Sequence, residues 1–254
     1  MPSISDMKII AVIPARYAST RFPGKPLADI AGKSMIRRVI DQAVQVKGLA
    51  DVFVATDDQR IADHVREYGA QVIMTSPDHP SGTDRCLEAL VRSQTQADAV
   101  INIQGDEPFV AVEQIELLIQ MIQNPVVDIA TLCIKIEDTQ TLNDPNKVKV
   151  IADGSGKAIY FSRHPIPYQK AFEFNEWLNH HEYFKHLGLY AYKTGVLKKI
   201  CHLRPSPLEL AESLEQLRWL ENGYTIHVGK TTVETPAIDT PEDLNKALMW
   251  MKNM

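Results

Sequence analysis

Short apolar runs, each followed by a segment of helical periodicity, constrain this chain more than any other feature of its sequence. Residues 8–14 read as a buried strand, and residues 35–46 then set Met35, Ile36, Val39, Ile40, Ala43 and Val44 on one helical face. Residues 51–55 form a second strand ending in Thr56-Asp57-Asp58, where an acidic cap starts a helix that runs through Arg66. Residues 71–74 give a third strand, and Ser81-Gly82-Thr83-Asp84 then opens a helix containing Leu87, Leu90 and Val91. A fourth strand, 99–103, leads through Gln104-Gly105-Asp106-Glu107-Pro108 into a helix over 112–123. Strands this apolar must be covered on both faces, so the expectation is an α/β fold with a doubly wound, mostly parallel sheet. Such sheets bind ligands at the carboxyl ends of their strands, which directs attention to the loops that follow them.

After about residue 124 the texture changes. Strands are expected at 128–134, 148–152 and 186–192, with Asp153-Gly154-Ser155-Gly156 turning a hairpin into 158–163. A helix is expected over 207–221, a strand over 224–228 and a last helix over 241–253, which Thr240 and Asp243 would cap. With no repeat or linker in view, 1–254 reads as a single domain, with roughly 124–230 inserted as a smaller mixed α/β lobe.

Composition removes several classes. The net charge of −5 gives no reason to expect nucleic acid, and an acidic protein that handles anions must gather its cations locally. No apolar run approaches the roughly 20 residues of a membrane span, and the first residues lack a signal-peptide core. Cys86, Cys133 and Cys201 are scattered and odd in number, which suits small buried side chains in a reducing cytoplasm better than a disulfide framework or a zinc site. Two motif fragments are decoys. Gly32-Lys33-Ser34 lacks the earlier glycine of a phosphate-binding P-loop, since Leu27 stands there, and reads as a turn. His181 and His186 are five residues apart, which on a helix separates them by about 140° and rules out a zinc-protease pair.

The loop after the first strand carries Arg16, Arg21 and Lys25 around Gly24, stiffened by Pro23 and Pro26. Bidentate arginines and a compact ammonium at a strand end favour a triphosphate grip over a solvated basic loop. Asp106, in the tight turn after an uncharged strand, suits a hard divalent ion such as Mg²⁺ as well as it suits a helix cap. Asp239, before Thr240-Pro241-Glu242-Asp243, supplies a second acid whose simplest role is again a cap. In the lobe, His186, Gly188 and Tyr190 share one strand face, a polar patch suited to hydroxyls and a carboxylate.

These stretches together closely resemble the 3-deoxy-manno-octulosonate (Kdo) cytidylyltransferases, the CMP-Kdo synthetase family. The resemblance is carried by Arg16-Tyr17-Ala18-Ser19-Thr20-Arg21-Phe22-Pro23-Gly24-Lys25-Pro26-Leu27, Ser81-Gly82-Thr83-Asp84-Arg85, Gln104-Gly105-Asp106-Glu107-Pro108, Tyr160-Phe161-Ser162-Arg163, His186-Leu187-Gly188-Leu189-Tyr190, Leu214-Glu215-Gln216-Leu217-Arg218 and Asp239-Thr240-Pro241-Glu242-Asp243. It runs from about residue 8 to 246 and departs at Phe22, where many members carry Leu, and over 169–183. It implies a nucleotide-diphospho-sugar transferase type of fold and Mg²⁺-dependent transfer of CMP from CTP to Kdo, releasing pyrophosphate, for lipopolysaccharide synthesis. By the same resemblance Arg16 and Lys25 would grip the triphosphate, and Ser19, Ser81, Arg85 and Gln104 would help seat the nucleotide. Asp106 and Asp239 would hold Mg²⁺, while Arg163, His186, Tyr190, Glu215 and Gln216 would line the sugar-acid site. A cytoplasmic homodimer is implied as well, with 124–230 as its sugar-binding and dimerisation lobe. Another sugar acid is the nearest alternative, either 8-amino-Kdo or sialic acid. Sialate enzymes typically carry an Arg-Gly-Gly-Ser-Lys loop, which differs from the one here. A non-catalytic nucleotide-binding protein on the same fold would be expected to lack an acid at 106 or 239, and both are present.

Overall fold

A computed structural model describes residues 7–18, 22–236, 238 and 240–252, the side chains of Trp250 and Lys252 excepted. In chain order the first half comprises β1 (Ile9–Ala15), a small hairpin of β2 (Asp29–Ile30) and β3 (Lys33–Ser34), α1 (Met35–Ala43), β4 (Leu49–Thr56), α2 (Gln59–Glu67), β5 (Gln71–Met74), α3 (Gly82–Arg92), β6 (Ala99–Asn102) and α4 (Val112–Ile122). The second half comprises β7 (Ile129–Lys135), α5 (Thr139–Asn143), β8 (Lys149–Ala152), β9 (Ala158–Ser162), α6 (Trp177–His180), β10 (Phe184–Lys193), α7 (Thr194–Ile200), α8 (Pro207–Glu212), α9 (Glu215–Glu221), β11 (Ile226–Thr231) and α10 (Pro241–Lys252).

One nine-stranded sheet in the order β11-β7-β10-β6-β1-β4-β5 joins both halves, with β8 pairing β10 and β9 pairing β8. β1 runs parallel to β4 and β6, β5 parallel to β4, and β11 parallel to β7. β10 is antiparallel to both neighbours, β6 and β7. Alternate side chains of β1 feed two cores. Ile9, Ala11 and Ile13 pack with α1 and α4 on one face; Ile10 and Val12 pack with α3, α7 and α9 on the other. The doubly wound, mostly parallel architecture is therefore present, and β7, β10 and β11 extend the central sheet itself.

Two elements differ from expectation. Residues 207–221 form two helices, because Ser213 adopts a left-handed conformation (φ 51°) that ends α8 and re-aims the chain into α9. α8 buries none of its residues, whereas α9 buries Gln216, Leu217, Arg218 and Trp219, so one continuous helix would have exposed one half or the other. Arg218 then straps the two helices together through Glu209, at 2.5 and 2.6 Å. The short helix α7 also falls in a stretch where no helix was expected. Gly32-Lys33-Ser34 does make a turn, the bend between β2 and β3.

The feature that shapes the site is a split along one edge of β10. β6 pairs Tyr190 through Lys193, and β8 meets the same edge only at Lys185. Residues 187–189 have no strand partner there. On the opposite edge the register with β7 jumps from Leu187–Leu132 to Tyr190–Thr131, so Gly188 and Leu189 bulge out of the ladder. A cleft opens at this gap, beside the carboxyl ends of β1 and β6.

Candidate active site

The turn after β6 is pressed against the end of β1. A Cβ on Gly105 would lie 2.7 Å from the Pro14 carbonyl oxygen, a clash with backbone that only glycine avoids. That approach delivers Asp106 to Lys25. The loop leaving β1 doubles back through Gly24 (φ 72°), whose N–H donates to the Tyr17 carbonyl at 2.9 Å, and Lys25 then starts a 3-10 turn. The Lys25 ammonium donates to Asp106 Oδ2 at 2.6 Å and to the Ile238 carbonyl at 3.1 Å, and its side chain is 11% exposed. Ile238 N–H donates back to the Asp106 carbonyl at 3.2 Å, so the segment leading into Asp239 lies beside Asp106. Arg16 sits exposed at the end of β1. Asp239, Ser19, Thr20 and Arg21 lie outside the described residues.

The N-terminus of α3 forms the second wall. Ser81 caps the helix by accepting from Asp84 N–H. Its hydroxyl also lies 3.0 Å from Glu215 Oε1, while Thr83 donates to Glu215 Oε2 at 2.8 Å. Glu215 comes from α9, so a residue expected on the nucleotide side and one expected on the sugar side are directly bonded. Burial pushes the Glu215 carboxyl above its usual range, with Asp84 adding to the effect; the Thr83 and Ser81 hydroxyls oppose it. A second joint crosses the split in the sheet, where Gln104 Nε2 donates to the Gly188 carbonyl at 3.1 Å.

His186 stands at that split. Its Nε2 is 2.9 Å from Thr131 Oγ1, and its ring packs edge-on against Phe161 and tilted against Tyr190. Burial pushes its pKa down to about 3, so at neutral pH the imidazole is an uncharged hydrogen-bonding group rather than a cation for a carboxylate. Tyr190 is buried, and burial pushes its hydroxyl well above its usual range, with Glu215 adding to the effect and the Thr131 hydroxyl opposing it. His186, Leu187, Gly188, Glu107, Lys185, Lys147, Asp243 and Lys246 are among the residues around a cavity of about 680 Å³ that opens here.

Arg85, Arg163 and Gln216 take positions that their assignment as ligand contacts did not anticipate. Arg85 is 1% exposed and lies beneath the cleft, bonded to Asp57 at 3.0 Å and Thr75 at 2.5 Å. It ties the ends of β4 and β5 to α3, and burial lowers its pKa, with Asp57 opposing the shift and Arg16 adding to it. Arg163 spends its guanidinium on the backbone carbonyls of Glu212, Pro145 and Ser213, at 2.6, 3.0 and 3.2 Å. Those carbonyls belong to the α8–α9 corner and the α5–β8 loop, and the residue clamps the corner that launches Glu215. Gln216 is buried in α9. Glu212 completes the clamp by accepting from Ser162 Oγ and Arg163 N–H at 2.8 and 2.9 Å. Lys149, fully buried beside it, donates to the Asp144 carbonyl at 2.9 Å. Thr83, Thr131 and Glu212 were missed from sequence. A lone threonine within the apolar strand Ile129–Lys135 was the one available signal among them.

The donor set suits a divalent oxygen-seeking ion. Asp106 meets Lys25 through Oδ2, and its side chain is 36% exposed, which leaves the carboxylate within reach of a ligand. Among the described residues no group of three or more His, Cys, Asp or Glu could hold a metal ion.

Comparison with known proteins agrees with this geometry. The cytidylyltransferase family model matches residues 10–227. The 3-deoxy-manno-octulosonate cytidylyltransferase of Cytophaga hutchinsonii is 54% identical over 241 residues, 94% of this chain and 96% of that protein. Its namesake from Parabacteroides distasonis is 53% identical, over 97% of this chain and 99% of that protein. A solved structure of CMP:2-keto-3-deoxy-manno-octonic acid synthetase complexed with CTP superposes with a TM-score of 0.90 at 43% identity, covering 97% of this chain and 99% of that one. At 15% identity and a TM-score of 0.62, the 4-diphosphocytidyl-2C-methyl-D-erythritol synthase of Anaerococcus prevotii shares the fold. By sequence along nearly its whole length and by architecture, the chain belongs to the 3-deoxy-manno-octulosonate cytidylyltransferase family.

Proposed function

We propose that this chain transfers the CMP unit of CTP to Kdo. The anomeric hydroxyl of the sugar acid releases its proton to solvent as its oxygen forms a bond to the α-phosphorus, the bond from that phosphorus to the bridging oxygen breaks, and pyrophosphate leaves with that bond's electron pair. The observation that carries the reading is the meeting of Lys25 and Asp106 at the ends of β1 and β6, beside the split edge of β10 where Gln104 and Gly188 join. Lys25 and Arg16 neutralise the triphosphate, Ser81 and Gln104 bound the nucleotide side, and Glu215, Tyr190 and His186 face the acceptor. Positioning and charge neutralisation supply most of the acceleration in such a transfer, and no covalent nucleophile is required. Asp106 and Asp239 would hold Mg²⁺, which when bound neutralises charge on the phosphate oxygens.

The same reading takes the protein to be a cytoplasmic homodimer, with 124–230 contributing the sugar side and the subunit contact. Among the described residues no helix is long and apolar enough to cross a membrane. Pyrophosphate release measured with CTP, Mg²⁺ and a panel of sugar acids tests the activity. Kdo-dependent release is expected. Release with sialic acid or 8-amino-Kdo in preference to Kdo would replace the acceptor, and no release with any sugar acid would overturn the transfer.

A further inference from the structure

The mid-strand threonine of β7 touches the split in β10 at several points, and their hydrogen-bond arithmetic is restrictive. Thr131 is fully buried, and its Oγ1 lies 2.8 Å from the Leu189 carbonyl, 3.1 Å from the Leu187 carbonyl and 2.9 Å from His186 Nε2. The two carbonyls flank the bulge, where the regular ladder is interrupted, and both accept from the Thr131 hydroxyl. A hydroxyl carries one proton, and carbonyl oxygens only accept. The 2.8 Å approach to the Leu189 carbonyl is the shortest of the three contacts and gives the carbonyl pair the best claim on the Thr131 proton, which leaves Nε2 of His186 as the donor in the remaining contact. A neutral imidazole that carries its proton on Nε2 has a bare lone pair on Nδ1. His186 keeps that single proton at neutral pH because burial depresses its pKa to about 3. No described residue bonds Nδ1, and the ring borders the cavity of about 680 Å³.

We infer that Thr131 is a positioning residue for the acceptor side of the site: it closes the β10 bulge and holds His186 as the Nε2–H tautomer, so that Nδ1 accepts a hydrogen bond from a hydroxyl of the sugar acid. This rests on the proposed sugar-acid transfer. A threonine is suited to the task because its methyl fills apolar space while its hydroxyl serves both carbonyls and the ring.

The tautomer is read directly by ¹⁵N NMR of histidine-labelled protein without substrates, with His186→Gln used to assign the signal. Wild type is expected to show a protonated Nε2 and a bare Nδ1; a protonated Nδ1 in wild type overturns the inference whatever the variants do. Thr131→Val, which removes the hydroxyl at nearly constant shape, should mix the tautomers. It should also raise the KM for Kdo roughly tenfold, about one lost hydrogen bond, while the KM for CTP stays within about twofold. Thr131→Ser keeps the hydroxyl and should restore both the tautomer and the KM, which a purely packing role for Thr131 would not produce. An unmixed tautomer and an unchanged Kdo KM in Thr131→Val also overturn the inference. If wild type shows the expected tautomer yet accepts no sugar acid, the proposed function fails and takes the role of Nδ1 with it. The hold of Thr131 on the ring would still stand.

Discussion

The two halves of the sheet solve the problem of presenting a ligand site in different ways. From β1 to β6 the strands are parallel and apolar, and each functional group rides on the loop just past a strand's carboxyl end: Arg16, Asp57, Ser81, Gln104 and Asp106. From β7 onward the sheet mixes directions, one strand bulges, and the groups that matter lie within elements: His186 and Tyr190 on β10, Glu215 on α9. The first half positions by topology, because a doubly wound sheet gathers its strand ends wherever the loops happen to go. The second half positions through buried polar ties, among them Thr131 to the bulge, Thr83 to Glu215 and Arg163 to the α8–α9 corner. Losing a group in the first half should therefore cost chemistry with little cost in stability. Losing a tie in the second half should cost both.

The largest effect is expected at Asp106. Asp106→Asn keeps the shape of the turn and an oxygen that can accept from Lys25, but removes the charge that balances it and one carboxylate oxygen. Turnover with CTP, Mg²⁺ and Kdo should fall by about a thousandfold or more, consistent with losing a principal electrostatic stabiliser. The thermal midpoint should fall less than in the Glu212 variant below, because Asp106 is 36% exposed and water can reach the pair. Turnover within about tenfold of wild type would show that the carboxylate is not used in the transfer and would break the first half of the comparison.

Glu212→Gln sharpens the second half. Glu212 takes the Ser162 hydroxyl and the Arg163 N–H on its two oxygens, and its charge lies near Lys149. An amide in its place can keep one of these bonds but removes one of the two carboxylates, Asp144 being the other, whose charge offsets the burial of Lys149. Stability should drop by about 2 kcal/mol in urea melts, the usual scale for hydrogen bonds to a charged group. The KM for Kdo should rise more than that for CTP, because α9 carries Glu215 from the loosened corner. Equal changes in both constants, or stability unchanged within error, would detach the corner from the sugar side.

The same contrast decides what was legible beforehand. Strands β1, β4, β5 and β6 announce themselves as apolar runs, and the loops after them, which such a sheet makes the places to search, carry Lys25, Ser81, Gln104 and Asp106. The pairing of Lys25 with Asp106 was out of reach, because it depends on Gly105 settling against Pro14, a contact between segments some ninety residues apart. Arg163 read as a sugar contact because a motif reports which residue is present and not which way its guanidinium turns. The break at Ser213 was hidden because a serine in the left-handed region leaves no mark in a pattern that otherwise reads as one helix. The bulge in β10 shifts which backbone groups lack partners, and only the register with β7 reveals that Thr131 answers it.

The smallest effect concerns acid stability, and its sign follows from His186. In the folded protein this imidazole takes a proton only near pH 3, whereas in the unfolded chain it does so near 6.5. Below about 6.5 the unfolded state therefore binds a proton that the folded state refuses, and stability falls as pH drops from 6.5 toward 3. The contribution is complete above 6.5 and amounts to about 1.4 kcal/mol per pH unit within the window. The charged groups around the same cavity, Lys147, Lys185, Lys246, Glu107, Glu234 and Asp243, are common to wild type and the comparison variant, so the difference between the two proteins isolates His186. His186→Gln removes the titration while leaving a side chain that can still donate to Thr131. Urea melts at pH 6.5 and pH 5.0 should show wild type losing about 2 kcal/mol more than the variant across that interval. A parallel loss in both proteins would mean that His186 takes its proton as readily in the folded state as in the unfolded chain, across the same pH interval. The acceptor side of the site would then carry a cation, and the contrast between a charged nucleotide half and a neutral, hydroxyl-tied sugar half would disappear.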